Sequence, residues 1–448
     1  MIESKLYTFL CSAFFALSIL LPDISYPIIG NLRPEDFVLI LLGLFVLDNI
    51  LLKNGQFPKL GWPVFVMLLM FLWLVTVSSG INFLLGNVDN PGLIIKEFIR
   101  FLKYAVVFVV FLWLKPEKAN IPFRVFLFAA LVTVGIQFMQ KYQLFDMNNW
   151  LINFYNNKLF IYSTQSSDWR GGSVFSNPNV FGNFLLIPFA FIFSTFFVSG
   201  EIFNNIKLKK FTSSILIMIF GLGILFTQSR TSVVAMFIII FFGTFIYVFK
   251  EAVYHNRNRG KGTKYISYII LFLFFIILVS RYFNLERAFA FISAVETDRS
   301  LSIKLEMAKY AIGIVLDSNP FCLIFGMSPG VKYIQTDFEY GYLLYWYGLS
   351  GILFYGLLVY SQLQIFSKRL GTQSGLTGTS IVFAFVFFGI GATAFINNRV
   401  YPITLALFAM MINNLTDNSI SKSKACRANS INTNETKNYN HTKRSISF

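Results

Sequence analysis

Histidine and cysteine are nearly missing from this chain, at 2 and 3 among 448 residues. Cys11, Cys322 and Cys426 fall far apart, and neither His255 nor His441 stands near any of them. That scatter offers no disulfide framework and no Cys/His cluster of the kind that holds zinc. A Walker loop and other nucleotide-binding fingerprints are absent too, so the energy for any reaction has to come from the substrate itself. Charge is scarce at 13% of residues. What fills the space is apolar: 56% of the chain is hydrophobic and the mean hydropathy is +0.63, a composition of membrane proteins.

Twelve long apolar runs account for that composition, at 6–21, 37–52, 61–79, 101–114, 125–140, 180–199, 211–227, 232–249, 265–280, 341–362, 377–396 and 401–412. About 18 apolar residues suffice to cross the ~30 Å hydrocarbon layer as a helix, so the expected fold is an all-α polytopic bundle of about 12 transmembrane helices. The polar gaps alternate between basic and nearly neutral, and 22 of the 37 Lys+Arg residues sort to one side. The positive-inside rule makes that side cytoplasmic and puts both termini there. His255 and His441 sort with it, which leaves no outer histidine to act as base or ligand. The start of the chain resembles a signal peptide, but Leu21-Pro22-Asp23 offers no small-residue cleavage site, so a retained first span is expected. The net charge of +16 serves topology and attraction to anionic membrane lipids; no compact basic domain points to nucleic acid. Residues 1–413 form the expected membrane domain. The Asn/Ser/Lys-rich stretch 414–448 is expected to be a disordered basic cytoplasmic tail.

Two outer loops are long, 141–178 and 281–339, and loops of that length in a compact protein tend to be functional. The first ends in Arg170-Gly171-Gly172, then Asn177-Pro178-Asn179. Gly171 and Gly172 let the backbone bend close to a ligand. Asn177 and Pro178 suit the N-cap and first residue of a helix, and a helix N-terminus beside an arginine suits an anion. Thr227-Gln228-Ser229-Arg230-Thr231-Ser232 is a hydroxyl-rich turn between two spans. There Arg230 either snorkels to water or clamps a phosphate with its planar fork of donors. The second loop carries Arg281, Arg287 and Arg299. A stretch over 302–315 has helical periodicity, either lying on the bilayer or packed against the bundle. Asp337 and Glu339 close the loop at the mouth of a span, as general-base candidates or as plain helix-terminal acids. Lys96, Arg100 and Lys103 make a cationic stripe that descends into the fourth run, where Lys103 needs a partner or a polar cavity. Arg399 is a weaker candidate between the last two runs.

The ordered set Arg170-Gly171-Gly172, Asn177-Pro178-Asn179, Ser229-Arg230-Thr231, Asn319-Pro320 with Gly326, and Glu339-Tyr340-Gly341-Tyr342 followed by Gly348-Leu349-Ser350-Gly351 resembles the bacterial O-antigen polymerase and ligase family, especially its Wzy-type polymerases. The resemblance covers most of residues 90–365. It implies a multi-pass protein of the bacterial inner membrane that performs metal-independent glycosyl transfer, without a cofactor, on the periplasmic face. The donor it implies is a glycan on undecaprenyl pyrophosphate, and the acceptor is the terminal sugar of another lipid-linked repeat unit. Arg170 and Arg230 would neutralise the departing pyrophosphate, with Arg287, Arg299, Arg100 and Lys103 as further candidates. Glu339, or else Asp337, would take the proton from the attacking hydroxyl. Gly171, Gly172, Asn177 and Asn179 would shape the loop. A chain-length regulator protein is the protein partner this resemblance suggests. Ligases of the family carry a histidine in the second long loop, which this chain lacks; a 12-span transporter or lipid-linked oligosaccharide flippase is the alternative from another class.

Overall fold

The computed structural model describes residues 2, 4–21, 24–26, 30–52, 57–155, 170–175, 177–198, 209–254, 299–331, 339–389 and 394–416. Expectations for the run at 265–280, for Arg281, Arg287 and Asp337, and for residues 417–448 fall outside the described residues. So does the side chain of Arg299.

Helices dominate what is described. In order they are α1 (Lys5–Leu20), α2 (Pro34–Leu52), α3 (Trp62–Leu84), α4 (Pro91–Leu112), α5 (Asn120–Lys141), α6 (Met147–Tyr155), α7 (Pro178–Phe197), α8 (Lys210–Phe226) and α9 (Arg230–Tyr254). Then follow α10 (Arg299–Leu316), α11 (Pro320–Phe325), α12 (Glu339–Ser367), α13 (Gln373–Phe388) and α14 (Val400–Thr416). A short antiparallel hairpin, β1 (Ile24–Tyr26) with β2 (Gly30–Leu32), links α1 to α2.

Among the described residues four helices are long and apolar enough to cross a membrane: Lys59–Leu84, Pro116–Lys141, Pro178–Phe197 and Glu339–Ser367. Five more are apolar but shorter, among them α1, α8, α13 and α14. A 16-residue helix such as α1 extends about 24 Å, short of a full hydrocarbon layer. α2 and α4 have the length, at 19 and 22 residues, but carry acids and bases that answer one another across the bundle.

Three helices begin at an Asn-Pro pair for one physical reason. Asn90, Asn177 and Asn319 each accept a hydrogen bond from the backbone N–H two residues on, at 3.0, 2.9 and 3.0 Å. The proline that follows sets φ for the first turn, where its missing N–H is not needed. Helix packing then joins α1 to α2 and α5, α3 to α4 and α12, α7 to α8, α9 and α13, and α12 to α13. Apolar contact gives helices no advantage over lipid, so shape and polar contacts have to hold them. Phe15 lies 5.2 Å from Phe111 and 5.6 Å from Phe126 between ring centroids, joining α1, α4 and α5. The Tyr7 hydroxyl donates to the Val110 carbonyl at 2.6 Å in the same core.

The periodic stretch in the second long loop is α10, and it packs on α12 with Ala311 and Val315 buried. Of the two readings of that stretch, the structure supports packing against the bundle. The last helix runs on to Thr416, with Asn413 and Asn414 buried against Leu114 and Ser374.

Candidate functional site

The hydroxyl-rich turn builds itself. α8 ends at Phe226, and the Thr227 hydroxyl donates back to the Ile224 carbonyl at 2.6 Å while accepting from the Ser229 N–H at 3.1 Å. Gln228 adopts a left-handed φ of 49°, which reverses the chain. The Ser229 hydroxyl accepts from the N–H and the hydroxyl of Ser232, at 3.4 and 2.8 Å, and shares a 3.2 Å hydrogen bond with Thr231. Ser229 thereby caps α9, and Arg230 becomes its first residue, half-buried. The arginine is held at a helix N-terminus, where backbone N–H groups and the helix dipole favour an anion.

Onto this turn comes the end of the first long loop. The Gly171 N–H donates to the Phe226 carbonyl at 3.1 Å, and Gln137 on α5 donates to the carbonyls of Gly171 and Gly223 at 3.3 and 3.0 Å. Arg170 donates from Nε to the Thr227 carbonyl at 3.4 Å and from Nη2 to Asn179 Oδ1 at 2.8 Å. Asn177 caps α7, with Pro178 as its first residue. Gly182 lets α7 close on the turn, since a Cβ there would lie 2.2 Å from Ser232 Oγ and 3.1 Å from Thr227 Oγ1. Arg170, Asn179, the N-terminus of α7 and the Arg230 end of α9 therefore form one centre. Residues 57 positions apart in sequence meet there.

Around that centre lie buried amides to which the sequence reading gave no role. Asn183 follows Asn179 by four residues, so it sits one turn deeper on the same face of α7. It is 0% exposed, and neither its Oδ1 nor its Nδ2 has a hydrogen-bond partner among the described residues. Oε1 of Gln137 and Oε1 of Gln228 are buried without partners as well. Orphaned amides are costly in an apolar interior and call for a ligand or a water. Two polar amides inside otherwise apolar runs, at 137 and 183, were the available signal.

The cationic stripe on α4 has its partners within the protein. Arg100 pairs with Glu97 at 2.6 Å and donates to the Tyr342 hydroxyl at 2.9 Å, while Tyr347 donates to the other Glu97 oxygen at 3.0 Å. Lys103 sits 3.1 Å from Glu35 and 2.6 Å from Asp36, at the start of α2. The partner that Lys103 requires in a lipid setting is thus a pair of acids in the chain, not an open cavity. Lys96 is exposed.

Glu339 opens α12 and is 0% exposed. Its Oε2 accepts from the Ala394 and Phe395 N–H groups, the latter at 3.0 Å, and its own N–H donates to the Gly389 carbonyl at 3.1 Å. Oε1 takes no backbone hydrogen bond among the described residues, and the Tyr355 hydroxyl stands beside the carboxyl as its side-chain neighbour. The carboxylate fastens the start of α12 to the segment leading into α14.

Arg399 proves to be a brace. Its guanidinium donates to the carbonyls of Ser18, Ile19 and Leu21 at 3.0, 2.7 and 3.3 Å and to that of Val174 at 2.8 Å, and it stacks 4.2 Å above the Phe175 ring. The orphan carbonyls at the end of α1 receive a cation there. Tyr155 on α6 donates to the Leu20 carbonyl beside it. Burial pushes the Tyr155 hydroxyl up to about 12 even though Arg399 pulls it down, so it stays a neutral donor. Through Val174 and Phe175 this brace steadies the segment that presents Arg170.

The fold and this centre define the class of protein: a helical protein with, among the described residues, four helices fit to cross a membrane and an arginine-bearing turn at two helix N-termini. No family model matches the chain, and no curated protein matches it.

Proposed function

We propose that this chain polymerises undecaprenyl-pyrophosphate-linked oligosaccharide repeat units on the periplasmic face of a bacterial inner membrane, as a twelve-span glycosyltransferase with both termini cytoplasmic. The observation that carries the reading is the meeting of Arg170 with the Thr227–Arg230 turn at the N-termini of α7 and α9. A pyrophosphate leaving group gathers negative charge as the glycosidic bond breaks. Fixed guanidinium and N–H donors aimed at that charge stabilise the transition state. In this scheme Asn179 orients Arg170, and Arg399 acts at a distance by holding the 173–175 segment. The orphaned amides at Asn183, Gln137 and Gln228 receive hydroxyl groups of the sugar next to the pyrophosphate. Glu339 is the proposed base through Oε1, the oxygen its backbone contacts leave over, with Asp337 as the second candidate.

Arg230→Ala and Arg170→Ala test the reading. Each should remove the ladder of polymer lengths while the protein reaches the membrane at a normal level, a loss of about two to three orders of magnitude in rate. A normal ladder in either variant refutes the role of that arginine. Arg230→Lys should be impaired as well, because lysine supplies a point charge without the fork.

A second reading, transport of a lipid-linked oligosaccharide, draws on a different observation. α12 is broken at Gly348, and the pair of buried Glu97 with half-buried Arg100 touches it through Tyr342 and Tyr347 on the near side of the break. Broken helices beside buried charges are a feature of transporter sites. The strain lacking this chain separates the readings. Loss of a polymerase leaves single repeat units on the surface, loss of a transporter traps them inside, and loss of a ligase leaves a bare core with lipid-linked polymer accumulating.

A further inference from the structure

A cavity of about 580 Å³ lies between α1 and the start of α5 and runs along α1 from Lys5 to Leu17. Ser12, Ala13 and Ala16 form its α1 wall, Ile121 and Val125 its α5 wall, and Lys5 and Lys118 stand where the two helices begin. The small side chains of Ser12, Ala13 and Ala16 open the trough between Phe9 and Leu17, which also line it, while Phe14 and Phe15 turn into the core. Its polar atoms are already used. Thr8 donates to the Ser4 carbonyl at 3.3 Å and Ser12 to the Thr8 carbonyl at 2.8 Å, so the interior offers a chain of apolar contacts. Both lysines lack an ion-pair partner among the described residues. The two starts lie at one end of the bundle, since the Ile2 N–H donates to the Trp113 carbonyl at 3.0 Å just before α5.

An apolar slot capped by two unpaired ammonium groups matches one kind of molecule: an acyl chain joined to an anionic phosphate headgroup. Basic pockets between helices at a membrane surface hold such headgroups. The slot is not the seat of the pyrophosphate proposed above. The arginine centre is tied through Val174 and Arg399 to the Ser18–Leu21 end of α1, and the ammonium end of the slot, where a headgroup would sit, lies about 20 Å along the helix from there. We infer that the α1–α5 crevice is a binding site for one anionic glycerophospholipid, taken from the leaflet that faces the Lys5 end, the cytoplasmic leaflet under the positive-inside orientation. The inference does not depend on the proposed transferase activity.

Native mass spectrometry of the full chain, purified in a delipidating detergent and titrated with phosphatidylglycerol or with zwitterionic phosphatidylcholine, tests it. The wild type should retain one phosphatidylglycerol in preference to phosphatidylcholine. The double variant Lys5→Gln, Lys118→Gln should weaken that retention roughly thirtyfold, from about 1 kcal/mol per lysine. Ala13→Phe, which fills the slot and leaves both charges, should also lose the lipid. A circular-dichroism spectrum like that of the wild type establishes that each variant is folded. Equal retention of the two lipids overturns the inference, as does undiminished phosphatidylglycerol binding by folded Lys5→Gln, Lys118→Gln. Displacement of phosphatidylglycerol by an equimolar amount of undecaprenyl phosphate would make this a substrate site and would overturn it as well.

Discussion

Asn183 and Arg399 show how differently a polar side chain can be placed inside one apolar bundle. Arg399 has four carbonyls for its guanidinium and a ring beneath it, whereas Asn183 has no partner among the described residues for either amide atom. The two should respond to substitution with opposite signs. Arg399→Met leaves those carbonyls without a cation and removes hydrogen bonds of about 1.5–3 kcal/mol each at most, so the thermal midpoint in detergent should fall by several degrees. Asn183→Leu replaces an unsatisfied amide by an apolar group of similar size and should raise stability by about 1–3 kcal/mol. If Asn183 receives a sugar hydroxyl, the same variant loses polymer formation while gaining stability, and gel ladders read beside melting curves separate the two effects. The Asn177-Pro178 helix start and the hydroxyl-rich turn at 227–232 were legible in the sequence because each is settled within a few residues, whereas the starts at Asn90-Pro91 and Asn319-Pro320 were not read as such. The carbonyls that Arg399 reaches lie up to 381 positions away, and nothing local announces them.

At the scale of the element, α12 is the helix whose sequence conceals most. Residues 341–362 are an apolar run that suggests one continuous span, yet Gly348 has φ 63° and ψ −157° and splits the helix. The carbonyls the break frees are taken up by neighbours. The Met327 N–H donates to Tyr345 at 2.7 Å, and the Ser328 N–H and the Ser78 hydroxyl donate to Trp346 at 3.2 and 3.0 Å. Irregular backbone inside an apolar bundle persists only with such substitutes. Gly326 makes the approach possible: a Cβ there would lie 2.3 Å from the Trp346 carbonyl carbon, and its own carbonyl accepts from Asn82 at 3.0 Å. Gly326→Ala and Gly348→Ala both place a Cβ against backbone that has no rotamer to yield, in a left-handed conformation that favours glycine. Each should sharply lower the folded fraction seen by fluorescence-detected size exclusion. Gly356→Ala, on the same helix with nothing within 4 Å of its Cβ, should match or slightly exceed the wild type. A sequence registers glycine as a mild helix breaker, and the clash that fixes its role arises only when α11 and α12 meet.

For the whole molecule, charge is the organising term. The acids at the start of α2 answer Lys103 on α4, Glu97 answers Arg100, and the arginine centre gathers at the far end of α1 from Lys5 and Lys118. The alternation of basic and neutral gaps was visible in the sequence, but which cations are neutralised within the fold was not, because Glu35 and Lys103 stand 68 positions apart. Sidedness is the property on which the proposed chemistry depends, and it can be measured without an activity assay. In a chain whose own cysteines are replaced, Asn149→Cys on exposed α6 should react with a membrane-impermeant maleimide in intact spheroplasts. Lys59→Cys, exposed ahead of α3 in a basic gap, should react only after the membrane is opened. The positive-inside rule requires that order, since loops rich in lysine stay in the cytoplasm. The reverse order would place Arg170 and Arg230 on the cytoplasmic side, away from any periplasmic lipid-linked glycan, and the polymerase reading would fall whatever the geometry of the arginines.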